Sequence, residues 1–482
     1  MREEVVVVGS GPNGLAAAIA LAQAGVGVRV IEAADEPGGG TRSAELTLPG
    51  FLHDVCSAVH PMGILSPFLR TLPLAEHGLE WVKPGASVAH PLDEGDAVML
   101  YRSLPRTAAG LGRDAAAWRR LIEPLLGDPH ALLADVLAPL RIPAHPLRMA
   151  RFGLRAAWPA SWLARAIFRG ERARALLAGC AGHSILPLGA PLTSALGVLF
   201  ALLGHVEDWP VARGGSRAIA GALASLLQSL GGKLETGRRV ERIAEVGNAS
   251  AVVFDTSPAE LLRIAGDALP PGYRRRLERY RYGPGVFKLD WALDGPIPWR
   301  DPRCLEASTV HVGGTLDEIS ASERDMYRGR HSERPYLILC QQSEFDASRA
   351  PEGKHTGYAY CHVPHASTVD MSDAIERQVE RFAPGFRDRI LARHAMGPAW
   401  LERHNPNYTG GAITGGVADV FQLWTRPVAR LDPYTTPNPR LFLCSASTPP
   451  GGGVHGMGGW WAARSVLKRL GRPVPRRAGT QR

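Results

Sequence analysis

The hydrophobic pattern at the start of the chain predicts a strand, a glycine turn, a helix and a second strand. Val5–Val8 is an uninterrupted run of β-branched residues, which suits a strand that is buried on both faces. Leu15–Ala24 is rich in alanine and leucine and meets no helix breaker before Gly25. Val28–Ile31 is another short apolar run. This segment therefore predicts a β-α-β unit.

Farther along, the pattern changes between helical and strand-like stretches. Residues 70–205 are rich in Ala, Arg and Leu and are punctuated by prolines, which predicts a series of short helices. Helices are also predicted directly after Ser216 and over Gly456–Leu470. Strands are predicted at Val240–Ala244, Ala251–Phe254, Val286–Trp291, Tyr336–Cys340, Gly357–Val363 and Leu441–Cys444. Because 482 residues exceed what one compact core usually holds, two or more domains are expected.

The charge of the chain is concentrated in two segments. The formal net charge is +9, but residues 141–174 hold eight arginines and one acid, and residues 471–482 hold four arginines and no acid. The rest of the chain is close to neutral, which favours one basic face over a general coat for nucleic acid. We predict that the basic tail over 471–482 is disordered.

Several other classes of protein are disfavoured by the sequence. The six cysteines have no spacing typical of a metal site, so we predict no metal and a reducing, cytoplasmic setting. The apolar N-terminus is broken by glycines and does not resemble a signal peptide. The uncharged run over residues 183–205 is interrupted by Pro187 and Pro191 and is too short to span a membrane. No hydrolase or metalloprotease motif is present.

The glycine turn carries the first chemical signal. Gly9-Ser-Gly-Pro-Asn-Gly14 has the spacing G-x-G-x-x-G between a predicted strand and a predicted helix. The glycines allow the backbone to approach a pyrophosphate, and the helix N-terminus favours its charge. Glu32 ends the second strand and is placed to accept a hydrogen bond from a ribose hydroxyl. A dinucleotide without a 2′-phosphate, FAD or NAD, is therefore the predicted ligand.

Two further glycine-rich loops favour FAD. Pro37–Ser43 contains three glycines next to Arg42, at the distance from Glu32 that is typical of two-dinucleotide-binding flavoproteins. Ser445–Trp461 opens the last predicted helix but is followed by neither an acid nor a strand, so it does not predict a second nucleotide fold. Its amides instead suit the negative charge of a reduced flavin. With one complete nucleotide fold, electrons are expected to leave to oxygen or a quinone.

These motifs together resemble FAD-dependent oxidoreductases of the phytoene-desaturase and carotenoid-isomerase type, particularly the bacterial phytoene dehydrogenase-like branch. The resemblance covers nearly the whole chain and also includes Gly50–Pro61, Trp209–Gly215, Tyr282–Gly285, Ala350–His355, Ala383–Gly385 and Ser445–Arg464. It implies an α/β fold in which a Rossmann-like FAD-binding domain of the two-dinucleotide-binding type carries an inserted α+β substrate domain. The implied FAD-binding domain takes residues 1–70, 205–265 and 425–482, and the substrate domain takes 71–204, with the basic helical segment 141–174, and 266–424.

The resemblance also implies where the cofactor lies. Val240, Thr256 and Ser257 are implied to flank its adenine side, Val59-His60 to lie near the flavin ring, and Gly453–His455 to approach the far end of the ring. The predicted cofactor-binding residues are Gly9, Ser10, Gly11, Pro12, Asn13, Gly14, Glu32, Ala33, Gly39, Gly40, Thr41, Arg42, Val59, His60, Val240, Thr256, Ser257, Ala446, Gly453, Val454 and His455.

His60 and His455 are the candidate catalytic residues beside the flavin. The alternative is that each is a structural histidine held by hydrogen bonds. One departure from the family pattern is Ala412, which stands where relatives commonly carry an acid, and it opens the possibility that turnover has been lost. Trp460 and Trp461 are expected to reshape the flavin-facing pocket.

The implied activity is dehydrogenation of a largely apolar, polyene or carrier-bound substrate. The alternatives are redox-neutral double-bond isomerisation with reduced FAD, amine oxidation, or a flavin fold without turnover. The arginines of 141–174 recur at helical spacing near Trp158 and Trp162, which fits an interfacial membrane helix or a dock for an acidic carrier protein, or else a solvated face. We predict no nucleic-acid partner and a cytoplasmic protein, with peripheral attachment to a membrane as an open alternative.

Overall fold

The computed structural model describes residues 4–474. The strands in this range are β1 Glu4–Val8, β2 Gly27–Ile31, β3 Ser43–Glu45, β4 Leu52–Asp54, β5 Trp81–Val82, β6 Ala86–Pro91, β7 Ala97–Leu100, β8 Val211–Ala212, β9 Lys233–Glu235, β10 Ala251–Phe254, β11 Gly285–Leu293, β12 Ala307–Val312, β13 Leu337–Cys340, β14 His355–Val363, β15 Ile390–Met396 and β16 Leu441–Leu443. The α-helices are α1 Pro12–Gln23, α2 Pro61–Ile64, α3 Leu104–Ala109, α4 Ala115–Leu126, α5 Pro129–Val136, α6 Pro146–Ala156, α7 Ala160–Ile167, α8 Glu171–Gly182, α9 Thr193–Glu207, α10 Arg217–Ser229, α11 Pro258–Ala265, α12 Pro271–Glu278, α13 Leu316–Tyr327, α14 Ser372–Phe382, α15 Pro398–His404 and α16 Met457–Arg469.

A five-stranded parallel sheet carries the glycine turn. Its strand order is β16-β10-β1-β2-β9, so β1 is central and pairs with β2 and β10. Val5, Val6 and Val7 are completely buried, as the β-branched run predicts, because helices cover both faces of the sheet. Strands from the beginning, the middle and the end of the chain meet here. The predicted Rossmann-like α/β fold is confirmed.

A larger sheet of mixed direction stands beside it. The strand order is β15-β11-β14-β13-β12-β6-β7, and every neighbouring pair is antiparallel except β12 and β6. The strands predicted at Val286–Trp291, Tyr336–Cys340 and Gly357–Val363 are its β11, β13 and β14, each within two residues at either end. Alternate residues of these strands point to opposite faces, so one face of the sheet can form the wall of a cavity.

The helices predicted over residues 70–205 begin only at α3, and α3 to α9 fill the chain between β7 and β8. The first part of that prediction is wrong, because residues 81–100 form β5, β6 and β7. The last of these helices, α9, is mainly apolar and is buried over most of its 15 residues. Within residues 4–474, no helix is both long and apolar enough to cross a membrane.

One predicted strand is wrong. Val240–Ala244 has no strand structure, and the sheet edge is formed earlier by the short β9, which pairs with β2. After Glu235 the chain leaves the sheet, although the Arg238 N–H still donates to the Glu32 carbonyl at 2.8 Å. The polar residues that interrupt the Val240 segment remove the alternation that an edge strand needs. Most of the tail predicted to be disordered lies outside the described residues.

Candidate cofactor and substrate site

The glycine turn between β1 and α1 leaves no room for side chains. Gly9 has a φ of +98°, and a Cβ added there would lie 2.8 Å from the Asp255 carbonyl oxygen. A Cβ on Gly11 would lie 2.5 Å from the Asp255 carboxylate. The turn therefore packs directly on the end of β10, and this close packing brings the N-terminus of α1 to the cavity wall.

Glu32 fixes the turn from the other side. Its Oε2 accepts hydrogen bonds from the Ser10 N–H at 2.8 Å and from the Ser10 hydroxyl at 2.7 Å, and its Oε1 accepts from the Ala34 N–H at 2.9 Å. Each carboxylate oxygen can accept more than one hydrogen bond, so Glu32 still has capacity for a ribose hydroxyl. It lines the cavity, as its place at the end of β2 predicts.

Asp255 is a site residue that the sequence analysis missed. It follows β10 directly and accepts a hydrogen bond from the Gly14 N–H at 2.8 Å. Burial raises the pKa of Asp255 to about 7; the N–H groups of Gly14 and Gly11 oppose this rise and the charge of Glu32 adds to it. Its position in the sequence could have predicted this role, because an acid that directly follows a buried parallel strand lies at the carboxyl edge of the sheet, where ligands bind.

A single cavity connects this turn with the large sheet. Its volume is about 1110 Å³, above the upper end of the range for pockets that hold one drug-sized molecule. The end near the turn is polar and is bordered by Glu32, Val240, Thr256, Ser257 and Arg263. The middle part is bordered by the loops around His60 and His455, and the rest is an apolar chamber. A dinucleotide and a substrate can therefore share one space.

The apolar chamber is built by the large sheet on one side and by helices on the other. Ile338 and Cys340 alternate along β13 and stand opposite Tyr360 and Tyr358 of β14, so all four face the cavity. The helical side consists of Met149, Phe152 and Ala156 from α6 and Leu196, Leu199 and Phe200 from α9. Such a lining favours an elongated apolar ligand.

His60 has a fixed tautomer. Ser216 donates its hydroxyl proton to the Ser57 carbonyl at 2.6 Å, so at 2.8 Å it must accept from His60 Nε2. The Nδ1 atom of His60 therefore carries the lone pair, and it is buried without a hydrogen-bond partner. Burial lowers the pKa of His60 to about 4, so the ring is neutral near pH 7.

A buried ion network holds Ser216 in place. Asp54 accepts hydrogen bonds from the Ser216 N–H at 2.7 Å and from the Ser43 hydroxyl at 2.6 Å, and it pairs with Arg349 at 3.0 Å. Burial alone would raise the pKa of Asp54, but Arg349 and these hydrogen bonds lower it below its usual value. The charged carboxylate thus positions Ser216 and, through it, His60. The sequence analysis assigned no role to Arg349, although this residue directly precedes Ala350–His355, one of the segments on which the family resemblance rests.

In His455 the ring nitrogen without a partner is a hydrogen-bond donor, whereas in His60 it is an acceptor. Its Nδ1 accepts from the Met457 N–H at 3.1 Å, so the ring proton is on Nε2, which has no partner with hydrogen-bond geometry. Burial lowers the pKa of His455 to about 4, against an opposing contribution from the backbone of Gly451 and Gly452. Of these two wall residues, His60 therefore has an unpartnered acceptor and His455 an unpartnered donor.

A histidine on the chamber wall was also missed. His183 follows α8, and its Nε2 lies 2.9 Å from Nε2 of the buried His311, so the two rings share one proton. Burial lowers the pKa of His183 to about 3, which keeps this pair neutral at physiological pH. Nothing in the local sequence distinguished His183 from a core histidine.

Most of the predicted cofactor residues lie on this one cavity. The exceptions are Gly14, which lies behind the turn, and Thr41, which is buried and donates to the Gly38 carbonyl at 2.8 Å. The residues on the wall are Gly9, Ser10, Gly11, Pro12, Asn13, Glu32, Ala33, Gly39, Gly40, Arg42, Val59, His60, Val240, Thr256, Ser257, Ala446, Gly453, Val454 and His455.

Three further residues that the sequence analysis singled out, Ala412, Trp460 and Trp461, do not line the cavity. Ala412 is 1% exposed and does not line the cavity, although Ile413 and Thr414 do. Trp460 packs in the core against Phe68, with 6.4 Å between the ring centroids. Trp461 donates its ring N–H to the Leu137 carbonyl at 3.2 Å. The expectation that the tryptophans reshape the flavin-facing pocket is therefore wrong, because both rings fix α16 against its neighbours.

The wall residues fit a dinucleotide. His60 Nδ1, Thr256 Oγ1 and His455 Nε2 are buried polar atoms of residues that line the wall, and they have no hydrogen-bond partners; such atoms are costly unless a ligand or water satisfies them. They lie in the parts of the cavity assigned to the two ends of the cofactor. The bare glycine turn and Glu32 complete a site for pyrophosphate and ribose.

The chain is similar to several known proteins. Residues 7–71 match the model of the NAD(P)-binding Rossmann-like domain. The chain is 26% identical to mouse pyridine nucleotide-disulfide oxidoreductase domain-containing protein 2, over 97% of this chain and 94% of that protein. It is 25% identical to the lycopene-forming phytoene desaturase of Pseudescherichia vulneris, over 94% of this chain and 96% of the desaturase.

Solved structures share the fold. An oxidoreductase from Methanosarcina mazei superposes with a TM-score of 0.64 at 17% identity, covering 96% of this chain and 100% of that one. A putrescine oxidase superposes with a TM-score of 0.61 at 18% identity, covering 98% and 100%. At this identity the likeness concerns the fold, and the chemistry must be argued from the residues on the cavity wall.

Proposed function

We propose that the chain is a flavin oxidoreductase of the phytoene dehydrogenase-like type, which binds FAD and dehydrogenates a largely apolar substrate. The observation that carries the proposal is the continuous cavity, which joins the glycine turn to an apolar chamber past His60 and His455. Such a cavity places a nucleotide-binding end and a hydrophobic substrate in one enclosed space.

The chain's own residues supply binding and orientation. The glycine turn and α1 would hold the pyrophosphate, Glu32 the ribose, and Thr256 and Val240 the adenine end. The N–H group at Nε2 of His455 would donate to an acceptor on the flavin ring. The positive end of the α16 dipole would stabilise negative charge on the same ring. When bound, FAD supplies a hydride acceptor; orientation and the exclusion of water come from the protein.

Dehydrogenation also releases a proton, and His60 is proposed to receive it. Its Nδ1 is an unpartnered acceptor because Ser216 holds the proton on Nε2. A neutral imidazole in an apolar setting can act as a base, provided the reacting carbon lies within hydrogen-bond reach of that atom. The lone pair of His60 is therefore available over the physiological pH range.

Amine oxidation is less consistent with the wall of the chamber. Burying an ammonium group without a paired carboxylate is costly, and cation–π contact with Tyr358 and Tyr360 would offset only part of that cost. Of the carboxylates on the cavity wall, Glu32, Asp255 and Glu260 lie at the nucleotide end. Asp135, near the chamber, already accepts from the Ala144 and His145 N–H groups and pairs with Arg141. The chamber therefore favours an uncharged substrate.

The test is anaerobic reduction of the FAD-loaded protein by a panel of free and carrier-bound polyenes. The expected result is bleaching of the visible flavin band by at least one polyene, with a desaturated product and one flavin reduced per double bond formed. Isomerised product after chemical reduction, with no desaturation, would replace this proposal by the redox-neutral reaction. Failure to take up FAD would remove both. Reoxidation by air or by a quinone identifies the electron acceptor, which we propose is one of these two.

A further inference from the structure

The segment that follows α8 forms a strained part of the chamber wall. His183 and Ser184 come directly after the helix, and Ile185 and Leu192 have φ angles of 53° and 68°. All four residues line the cavity. The left-handed backbone conformation is costly for a β-branched residue such as Ile185, and strain of this kind is concentrated at functional sites. The segment is therefore a candidate for contacts with the substrate.

The ring of His183 is held in place by three neighbours. Its Nε2 lies 2.9 Å from Nε2 of His311. The ring centroids of Phe200 and Trp209 lie 4.8 Å and 5.4 Å from that of His183, both in edge-to-face contact. Phe200 and Trp209 also line the cavity and contact each other. His183 is thus a fixed polar group in an aromatic part of the wall.

The other ring nitrogen of His183 is open to the chamber. Nδ1 of His183 has no hydrogen-bond partner within residues 4–474, and it is not enclosed by protein, in contrast to Nδ1 of His311. The residue is partly exposed and lines the cavity. The neighbouring Ser184 also lines the cavity, and its hydroxyl group has no partner. Two residues in sequence therefore bring unsatisfied polar groups to an otherwise apolar chamber.

His311 decides which nitrogen of His183 carries the proton. Nδ1 of His311 is buried without a partner beneath α8, where a Cβ on Gly179 would lie 2.5 Å from it. A buried N–H group without an acceptor is rarer than a buried lone pair, so His311 carries its proton on Nε2 and donates to Nε2 of His183. Burial lowers the pKa of both histidines, so both rings are neutral. His183 then has its own proton on Nδ1, as a donor that faces the chamber.

We propose that the Nδ1–H group of His183 donates a hydrogen bond to an oxygen atom of the substrate, so that the chamber selects uncharged apolar molecules that carry a hydroxyl or carbonyl group. A hydrocarbon would exclude water from this N–H group without offering it an acceptor, which weakens binding. The apolar lining supplies affinity, and His183 supplies selection among apolar ligands. Binding at His183 does not depend on turnover; the identification of the bound molecule as the substrate rests on the proposed function.

The experiment compares matched ligands on the FAD-loaded full chain. Decanol, decanal and undecane have the same number of heavy atoms, and each is used to displace the apolar dye Nile red from the protein. Transfer into a purely apolar site would strongly favour undecane. Wild type is instead expected to bind decanol and decanal at least as tightly as undecane. Selection is expressed as the dissociation constant of undecane divided by that of each oxygenated ligand.

Variants of His183 test the donor directly. His183→Phe keeps an aromatic ring against Phe200 and Trp209 but has no donor, so the selection ratio should fall by about tenfold. His183→Gln can accept from His311 and donate to the ligand, so it should retain part of the ratio. Phe200→Leu is the matched control, because it changes the same part of the wall and keeps the donor. It should weaken the binding of all three ligands and leave the ratio unchanged. Thermal unfolding verifies that each variant is folded.

Three results would overturn the proposal. One is a wild-type protein that binds undecane more tightly than both oxygenated ligands. Another is an unchanged ratio in folded His183→Phe, and the third is an equal fall of the ratio in Phe200→Leu, because the effect would then come from packing.

The proposed function fails or stands separately. The displacement can also be measured on the chain as purified, so a lack of FAD uptake, or a flavin that no polyene reduces, would remove the proposed function and leave the ligand ratios valid. Conversely, flavin reduction at equal half-saturating concentrations of a hydrocarbon polyene and its alcohol would overturn the selection by His183 and leave the proposed function in place.

Discussion

The Asp255 carboxylate accepts a hydrogen bond from the Gly14 N–H at 2.8 Å, beneath the turn that opens α1. An acid at this place is unexpected, because the turn is suited to a pyrophosphate and a second negative charge would repel it. Burial raises the pKa of Asp255 to about 7, so the protonated form predominates below neutral pH. In that form Asp255 supports the turn without opposing the ligand.

We expect FAD affinity to decrease as the pH rises through about 7, because Asp255 then becomes charged near the phosphates. The variant Asp255→Asn keeps an acceptor for the Gly14 N–H and cannot ionise. Its affinity, measured by fluorescence quenching of the flavin between pH 6 and 8 (roughly one unit on either side of that pKa), should be independent of pH. An identical pH dependence in wild type and variant would contradict this assignment.

The same group should affect the stability of the flavin-free chain. Since its pKa is raised in the folded state, the folded state holds the proton more tightly, and this contribution to stability is lost as the pH rises from about 4 to about 7. The free energy of unfolding of Asp255→Asn should therefore increase relative to wild type over that range, by on the order of 4 kcal/mol at most. Comparing the two proteins at each pH cancels the opposite contribution of the buried histidines.

A methyl group on the glycine turn should abolish flavin binding. In Gly11→Ala the new Cβ would lie 2.5 Å from the Asp255 carboxylate, so the buried Asp255 side chain or the turn must shift, and the hydrogen bond to the Gly14 N–H is disturbed. The expected result is a colourless protein with a lower melting temperature. Gly221→Ala is the matched control, because that glycine lies within α10 and its Cβ would meet nothing within 4 Å. The control should bind flavin normally and be slightly more stable.

Local signals explain which parts of this site were predictable. The run Val5–Val8 and the spacing Gly9–Gly14 specify a buried strand and a bare turn, so the nucleotide end follows from a short segment of sequence. Asp255 and His183 reach the cavity only through the packing of distant strands and helices. Their roles depend on burial and on partners more than 100 residues away, which no local pattern records.

The failed strand at Val240–Ala244 has a related cause. Edge strands have one neighbour, so tertiary hydrogen bonds decide where they begin and end. Here β9 ends at Glu235, and the following backbone bonds to Glu32 and Ala34 carry Val240 to the cavity. The residue was predicted to contact the cofactor, and it lies on the cavity wall although the strand that should have placed it is absent.

Placing an acid at position 412 is expected to destabilise the folded protein without increasing its rate of turnover. Ala412 is 1% exposed and does not line the cavity, so a carboxylate at this position would be buried in a place that now holds a methyl group. Ala412→Asp is expected to lower the free energy of unfolding by about 2 kcal/mol or more. The rate of flavin reduction by substrate should not rise. Ala399→Asp, in the exposed first turn of α15, is the control and should be nearly neutral.

The tautomer of His60 gives the sharpest test of its role. His60→Gln can still donate to Ser216 but has no basic nitrogen in the place of Nδ1, so FAD should bind while substrate-driven flavin reduction slows by about 10²-fold or more. In wild type, this rate should be constant through neutral pH and decrease as the pH falls towards about 4, where the ring becomes protonated. In His60→Gln that decrease should be absent. If the variant instead lost FAD, or kept the wild-type pH profile, His60 would be a structural histidine and the proton would leave by another group.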